Sequence, residues 1–129
     1  MNSPRAINVP ETSDWTHGGK QVVFQQCGAC RNTWYFRRSF CPACGHAAPA
    51  TVTSTGLGTV HAITLVYRAP SDEFRAAAPY CIVLVDAVED FRMMGHGELS
   101  LAIGDHVRCS IRSIAGRWLP YFEKEAHAS

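Results

Sequence analysis

No run of apolar residues in this chain is longer than six, the longest being Tyr80 to Val85. A helix that crosses a bilayer needs about 20, so no membrane span is expected. The opening stretch MNSPRAINVPETSD has no apolar segment and no small-residue cleavage pattern, so no secretory signal is expected. Residue 2 is Asn2 and the sequence closes on Ala-His-Ala-Ser, so lipidation is not expected and the expected compartment is the cytoplasm. Acid is missing from much of the chain: no Asp or Glu occurs between Asp14 and Asp72, whereas Lys20, Arg31, Arg37, Arg38 and Arg68 all fall there. From Asp72 onward nine acids face six bases, so the net charge of +1 is a cancellation between two unlike halves. A cationic half favours an anionic partner, and charge alone does not choose among nucleic acid, a phosphorylated cofactor and an acidic protein surface. The 47% hydrophobic and 18% charged content is ordinary for globular chains and excludes disordered and fibrous classes. At 129 residues the chain has room for one domain, or for a small domain and a smaller module.

Four of the six cysteines are grouped. Cys27-Gly28-Ala29-Cys30 is followed, ten residues later, by Cys41-Pro42-Ala43-Cys44-Gly45. Two Cys-x-x-Cys turns at this separation are a zinc signature, because each turn aims two thiolates at one point and two turns complete a tetrahedron. Gly28 and Gly45 are expected to supply the positive φ of the tight turns. A disulfide framework requires an oxidising compartment, and a thioredoxin-like site uses a single Cys-x-x-Cys within βαβ. An iron site of rubredoxin type uses the same ligands and stays open. Four protein thiolates leave no position for water or substrate, so Cys27, Cys30, Cys41 and Cys44 are expected to hold one structural Zn2+. Such an ion would supply folding energy that so short a segment cannot draw from a core. His46, just after the second turn, is read as an exposed turn residue rather than a spare ligand. Cys81 and Cys109 lie in apolar runs and read as small core residues. His61 and His106 are the bases that a catalytic thiol would need, and no spacing supports that use.

Along the chain, residues 1–19 read as an arm ending in a short helical turn at Gly18-Gly19. Residues 20–49 read as a metal-pinned ribbon, with strands at Gln21–Gln26 and Trp34–Phe36. Residues 50–125 read as β structure. Thr51–Tyr67 is a strand bent at Gly56 and Gly58. Tyr80–Val88 is nearly all apolar and is expected to be buried on both faces. Phe91–Gly97 pairs with it, and His106–Ile114 alternates, with Val107, Cys109 and Ile111 inward. Arg117–Phe122 closes the set, and Trp118 and Phe122 share one parity, so both can be core. The fold class is therefore mainly β: a rubredoxin-like zinc ribbon followed by a five-stranded OB-fold barrel. A sandwich fragment or an SH3-like barrel is the competing architecture.

The order of these features resembles a known family. It runs Trp15, Gln21-Val22-Val23-Phe24-Gln25-Gln26-Cys27, the four-cysteine ribbon, Gly56-Leu57-Gly58-Thr59-Val60, Pro79-Tyr80-Cys81-Ile82-Val83-Leu84-Val85, Ile103-Gly104-Asp105-His106-Val107 and Leu119-Pro120-Tyr121-Phe122. This resembles the zinc-ribbon plus OB-fold proteins that accompany thiolases and other acyl-CoA enzymes, over roughly residues 15–122. One departure is local: family members often carry a proline pair before the third cysteine, and this chain has Phe36-Arg37-Arg38-Ser39-Phe40. The resemblance implies a non-catalytic accessory subunit, joined in a hetero-oligomer to a thiolase-like acyl-CoA enzyme. It also implies contact with the coenzyme A part of a β-ketoacyl thioester, as in the degradation of aromatic compounds or steroids. Arginine forks suit phosphates and an arginine or aromatic face suits adenine. Lys20, Arg37, Arg38 and Arg68 are therefore the candidate coenzyme A or anion-binding residues.

No nucleophile, base and orienting group can be assembled from the sequence, and no glycine-rich phosphate loop opens a helix. A stand-alone thiol enzyme built on Cys81 or Cys109 is accordingly disfavoured. The alternative from another class is a single-stranded nucleic-acid-binding module, since ribbons and OB-folds both bind nucleic acid. Trp34, Tyr35, Phe36, Arg37 and Arg38 would form its patch. The acidic second half and a pI near 7.7 disfavour that reading.

Overall fold

The computed structural model of the chain describes residues 9–67, 72 and 79–125. After two short 3-10 turns, Glu11–Ser13 and Trp15–His17, the described elements are all strands. They are β1 (Val23–Gln26), β2 (Thr33–Trp34), β3 (Ala50–Thr53), β4 (Leu57–Val66), β5 (Tyr80–Ala87), β6 (Arg92–Gly97), β7 (His106–Ile114) and β8 (Arg117–Lys124). Asp14 caps the second turn by accepting from the Thr16 amide at 3.2 Å. Gly18, at φ 91, ends it in the left-handed region. No helix among the described residues is long and apolar enough to cross a membrane.

The strands divide into two sheets. The first is three-stranded, in the order β2-β1-β3, all antiparallel. The second is a closed barrel in the order β4-β5-β6-β8-β7, sealed by pairing of Leu57–Thr59 with His106–Arg108. Among the described strands only β6 and β8 pair in parallel, His96 opposite Tyr121 and Gly97 opposite Phe122. Five strands closed this way make the Greek-key OB barrel rather than a sandwich or SH3-like barrel.

Three expectations change in detail. The stretch read as one strand over Thr51–Tyr67 is two strands in two sheets, because β3 pairs with β1. The break at 54–56 is held by Glu89, whose carboxylate accepts from the Ser54 and Thr55 hydroxyls and the Thr55 amide at 2.8–3.0 Å. β5 is not buried on both faces. Cys81, Val83 and Val85 point inward while Ile82 and Leu84 are half-buried, as a barrel strand with a single core face requires. Trp118 shares parity with buried Phe122 but is 53% exposed, because the β7–β8 hairpin runs past the barrel. At Gly58 a side chain would meet Val85 Cγ1 at 2.6 Å, so glycine here permits the close approach of β4 to its neighbour β5. Beyond it the register shifts between Val60 and Ala62, a bulge that leaves His61 exposed and bends β4 around the barrel.

One hydrophobic core serves both sheets. Val22 and Phe24 from the ribbon join Val60, Cys81, Val83, Val85, Phe91, Met93, Leu101, Val107 and Phe122 from the barrel. The seam is aromatic: the Phe91 ring stacks on Phe24 at 4.9 Å and on Tyr35 at 5.8 Å. The Thr33 hydroxyl donates to the Asp90 carbonyl at 2.7 Å across the same seam.

Candidate metal centre

Each cysteine pair sits on a tight turn built alike. The Ala29 and Cys30 amides donate to Cys27 Sγ at 3.3 and 3.4 Å. The Ala43 and Cys44 amides donate to Cys41 Sγ at the same two distances. The Arg31 amide closes the first turn on the Cys27 carbonyl at 3.1 Å, and the Gly45 amide closes the second on the Cys41 carbonyl at 2.9 Å. Both closing residues are left-handed, Arg31 at φ 66 and Gly45 at φ 81. Gly45 therefore has the expected role, but in the first turn that position is Arg31 and not Gly28. Gly28 stands one residue after its first cysteine and has no positive φ.

The four Sγ atoms all lie within 4.8 Å of one another, and Cys27–Cys44 and Cys30–Cys41 are each 3.6 Å apart. A tetrahedral ion with metal–sulfur bonds of about 2.3 Å has sulfur–sulfur edges of about 3.8 Å, so the donor set fits a single ion. The amides donated by Cys30 and Ala29 lower the Cys27 thiol below its ordinary range. Burial opposes ionisation of Cys41, but the Cys44 and Ala43 amides outweigh it and bring that thiol down to about 6. One thiolate in each turn is thus prepared for a cation. Cys27 and Cys41 are buried while Cys30 and Cys44 are exposed, so one side of the site faces solvent. His46 contributes its carbonyl to the Cys41 amide, and its ring is outside the four-sulfur cluster.

Cys81 and Cys109 are separate from this centre. Burial raises both thiols, Cys109 to about 12, which keeps them protonated and unreactive. The two histidines that a thiol enzyme would need are engaged elsewhere. His61 Nδ1 lies 3.3 Å from Asp86, and His106 Nδ1 lies 3.4 Å from the Thr59 hydroxyl.

The cationic candidates are distributed rather than gathered. Lys20 Nζ sits 3.9 Å over the Trp118 ring, tying the start of the ribbon to the β7–β8 hairpin. Arg37 lines a cavity of roughly 270 Å³ walled by Trp15, Val23, Phe24, Tyr35 and Phe36. Arg38 lines a neighbouring groove with Trp34, Pro42, Asp90 and Arg92. Arg68 lies outside the described residues. Sequence reasoning missed Gln25, which is buried and organises this region. Its Oε1 accepts from Trp34 Nε1 and from the Arg38 amide, both at 2.6 Å. Nothing in a strand reading Val-Val-Phe-Gln-Gln marks which glutamine turns inward.

Fold and site together define the class: a four-cysteine ribbon whose sheet shares a core with an OB-fold barrel. Residues 51–112 match the family described as the C-terminal OB-fold domain of ChsH2. A DUF35 domain-containing scaffold protein of Methanothermobacter thermautotrophicus is 28% identical, over 78% of this chain and 80% of that protein. A solved structure described as the Ltp2-ChsH2(DUF35) aldolase superposes with a TM-score of 0.69 at 26% identity, covering 81% of this chain and 84% of that one. A DUF35-family protein of unknown function from Sulfolobus solfataricus shares the fold, with a TM-score of 0.57 at 18% identity over 81% and 76% of the two chains. The resemblance to ribbon-plus-OB-fold proteins is thereby borne out: in sequence and in fold the chain is similar to DUF35 proteins.

Proposed function

We propose that this chain is a non-catalytic accessory subunit that binds a thiolase-like acyl-CoA enzyme in a hetero-oligomer. The observation that carries the reading is the 26% likeness, over most of both chains, to a DUF35 component of a two-protein aldolase. Its likeness to a scaffold protein supports the same role. The chain's own chemistry agrees, since burial raises the Cys81 and Cys109 thiols while His61 and His106 are engaged with Asp86 and Thr59. The ribbon ion is structural Zn2+ bound by Cys27, Cys30, Cys41 and Cys44, and a reducing cytoplasm would keep those thiols available. The arm, ribbon and barrel at 1–19, 20–49 and 50–125 are the working units of this reading. Within the complex, Arg37 and Arg38, which line neighbouring recesses of the ribbon, are the cations that would contact the phosphates of a β-ketoacyl-CoA, while Lys20 stands apart over Trp118.

Co-expression of the tagged chain with a thiolase-like enzyme from the same source tests the proposal. A stoichiometric complex that survives size exclusion is expected. If the tagged chain emerges alone at low and moderate salt, and instead holds single-stranded DNA or RNA with a steep salt dependence, the nucleic-acid reading replaces this one.

A further inference from the structure

We infer that the free edge of β4, residues 61–67, pairs with the same edge of a second copy of this chain, antiparallel and about a two-fold axis at Thr64. β4 pairs with β5 from Gly58 to Val66, but with β7 only over Leu57–Thr59. The last backbone bonds on the β7 side are those of Val60 with Gly104 and Asp105, both at 2.9 Å. From His61 onward no strand lies against that edge among the described residues. Alternate N–H and C=O groups along about 20 Å of strand are thus open to pairing. Exposed edges are normally blunted by charge or proline. β7, which also outruns its neighbour, is blunted in this way: Arg112 stands over the Tyr121 ring at 4.4 Å and pairs with Glu123, and Lys20 covers the hairpin at Trp118. The stretch His61-Ala62-Ile63-Thr64-Leu65-Val66-Tyr67 contains no Lys, Arg, Asp, Glu or Pro.

Side chains are uncovered at the same place. Leu65 stands opposite Cys81, which is 1% exposed, so it has the inward parity of the core, yet it is 45% exposed. Tyr67 and Ile103 are exposed beside it, Ile103 on the turn whose Gly104 amide bonds Val60. An inward-facing leucine left open beside unused backbone groups lacks a neighbouring strand. The stretch itself indicates which strand. A two-fold axis normal to the sheet keeps outward side chains opposite outward ones, so opposed residues differ by an even number. Thr64 is the midpoint of the free stretch. Centred there, the register sets Thr64 against Thr64, Ile63 against Leu65, Ala62 against Val66 and His61 against Tyr67. These are Thr–Thr, aliphatic and aromatic pairs, the kinds that stabilise antiparallel sheets, and none opposes like charges. Leu65 is then covered by the second copy's Ile63. Asp86 and Arg92, the charges next to His61, neutralise each other at 2.6 Å. Self-complementarity of an uncharged stretch along its whole free length is what selects a second copy over an unrelated strand.

Sedimentation equilibrium of the full, metal-loaded chain from about 5 to about 500 µM tests the pairing. The mass is expected to rise from one 14.2 kDa chain to two across that range. Amide hydrogen exchange over 61–66 should slow at least tenfold at the high concentration, because pairing through the edge protects those N–H groups. Thr64 is exposed, so Thr64→Lys and Thr64→Glu should leave the circular dichroism and metal content unchanged. Each sets like charges opposite one another at the axis and should weaken dimerisation tenfold or more. An equimolar mixture of the two should recover it to within about threefold of wild type, an effect that only a Thr64-to-Thr64 register produces. Val88→Lys, an exposed residue whose amide bonds Leu57 at the opposite end of β4, should change nothing. A chain that stays monomeric at the highest concentration overturns the inference, including the case in which Thr64→Lys instead loses a partner enzyme. So does a dimer whose exchange over 61–66 is unchanged, or one in which the Lys and Glu variants fail to rescue each other.

Discussion

Phe91 is the ring through which the ribbon and the barrel share a core. It is 6% exposed, precedes β6, and stacks on Phe24 and Tyr35 of the ribbon at 4.9 and 5.8 Å. Phe91→Ala removes the ring and leaves a cavity at the seam. Phe-to-Ala changes in cores cost about 3–5 kcal/mol, a large share of the ~5–15 kcal/mol that stabilises a domain. Phe91→Leu keeps apolar bulk and loses the two ring pairs, each worth about 0.5–1.5 kcal/mol. Its cost should therefore be about 1–3 kcal/mol, between wild type and the alanine variant. Urea unfolding at fixed free metal, followed by far-UV circular dichroism and by metal release to a chromophoric chelator, measures both quantities. In wild type the two signals should coincide, because ribbon and barrel unfold together. A Phe91→Ala cost under about 1 kcal/mol would refute the shared core. So would a wild-type ribbon that releases its metal in a separate earlier transition.

Further outcomes follow from the same geometry. Cys41→Ser should lower bound metal from one ion per chain to a small fraction, read by elemental analysis, and strip ordered amide signals from 27–46 before the barrel. Structural zinc contributes on the order of 10 kcal/mol to small domains that close around it. Ala115 at φ 52 and Gly116 at φ 79 form the β7–β8 turn, a pairing that favours Asn-Gly. Ala115→Asn should therefore gain about 0.5–1 kcal/mol, raising Tm by a few degrees in a thermal melt. The hydrogen bond from Arg92 holds the half-exposed Asp86 carboxyl below its ordinary value. The stability it contributes is present above about pH 4 and is lost as pH falls through the lowered pKa. Asp86→Asn should flatten the acid limb of the stability curve between pH 5 and pH 2, measured by urea titration at each pH.

Much of this was legible in the sequence because it is local. Two Cys-x-x-Cys turns specify a four-sulfur cluster whatever surrounds them, and strand alternation in His106–Ile114 placed Val107 in the core. What was not legible depends on contacts between distant residues. The division of Thr51–Tyr67 into two strands depends on Glu89, more than thirty residues away. The exposure of Trp118 depends on how far the hairpin outruns the barrel and on Lys20 arriving over its ring. Residue chemistry alone pointed to Gly28 as the left-handed position. The hydrogen bond closing each turn shows that the equivalent of Gly45 is Arg31. The cations Lys20, Arg37 and Arg38 formed one group in composition, yet they line three different surroundings in space.

The most direct measurement is turnover of a β-ketoacyl-CoA by the co-expressed partner enzyme, assayed alone, with this chain, and with this chain by itself. If the chain is an accessory subunit, it has no turnover of its own, the partner alone is impaired, and adding the metal-loaded chain restores full activity at a fixed stoichiometry. Full activity of the partner without the chain, or turnover by the chain alone that Cys81→Ser or Cys109→Ser abolishes, would contradict it.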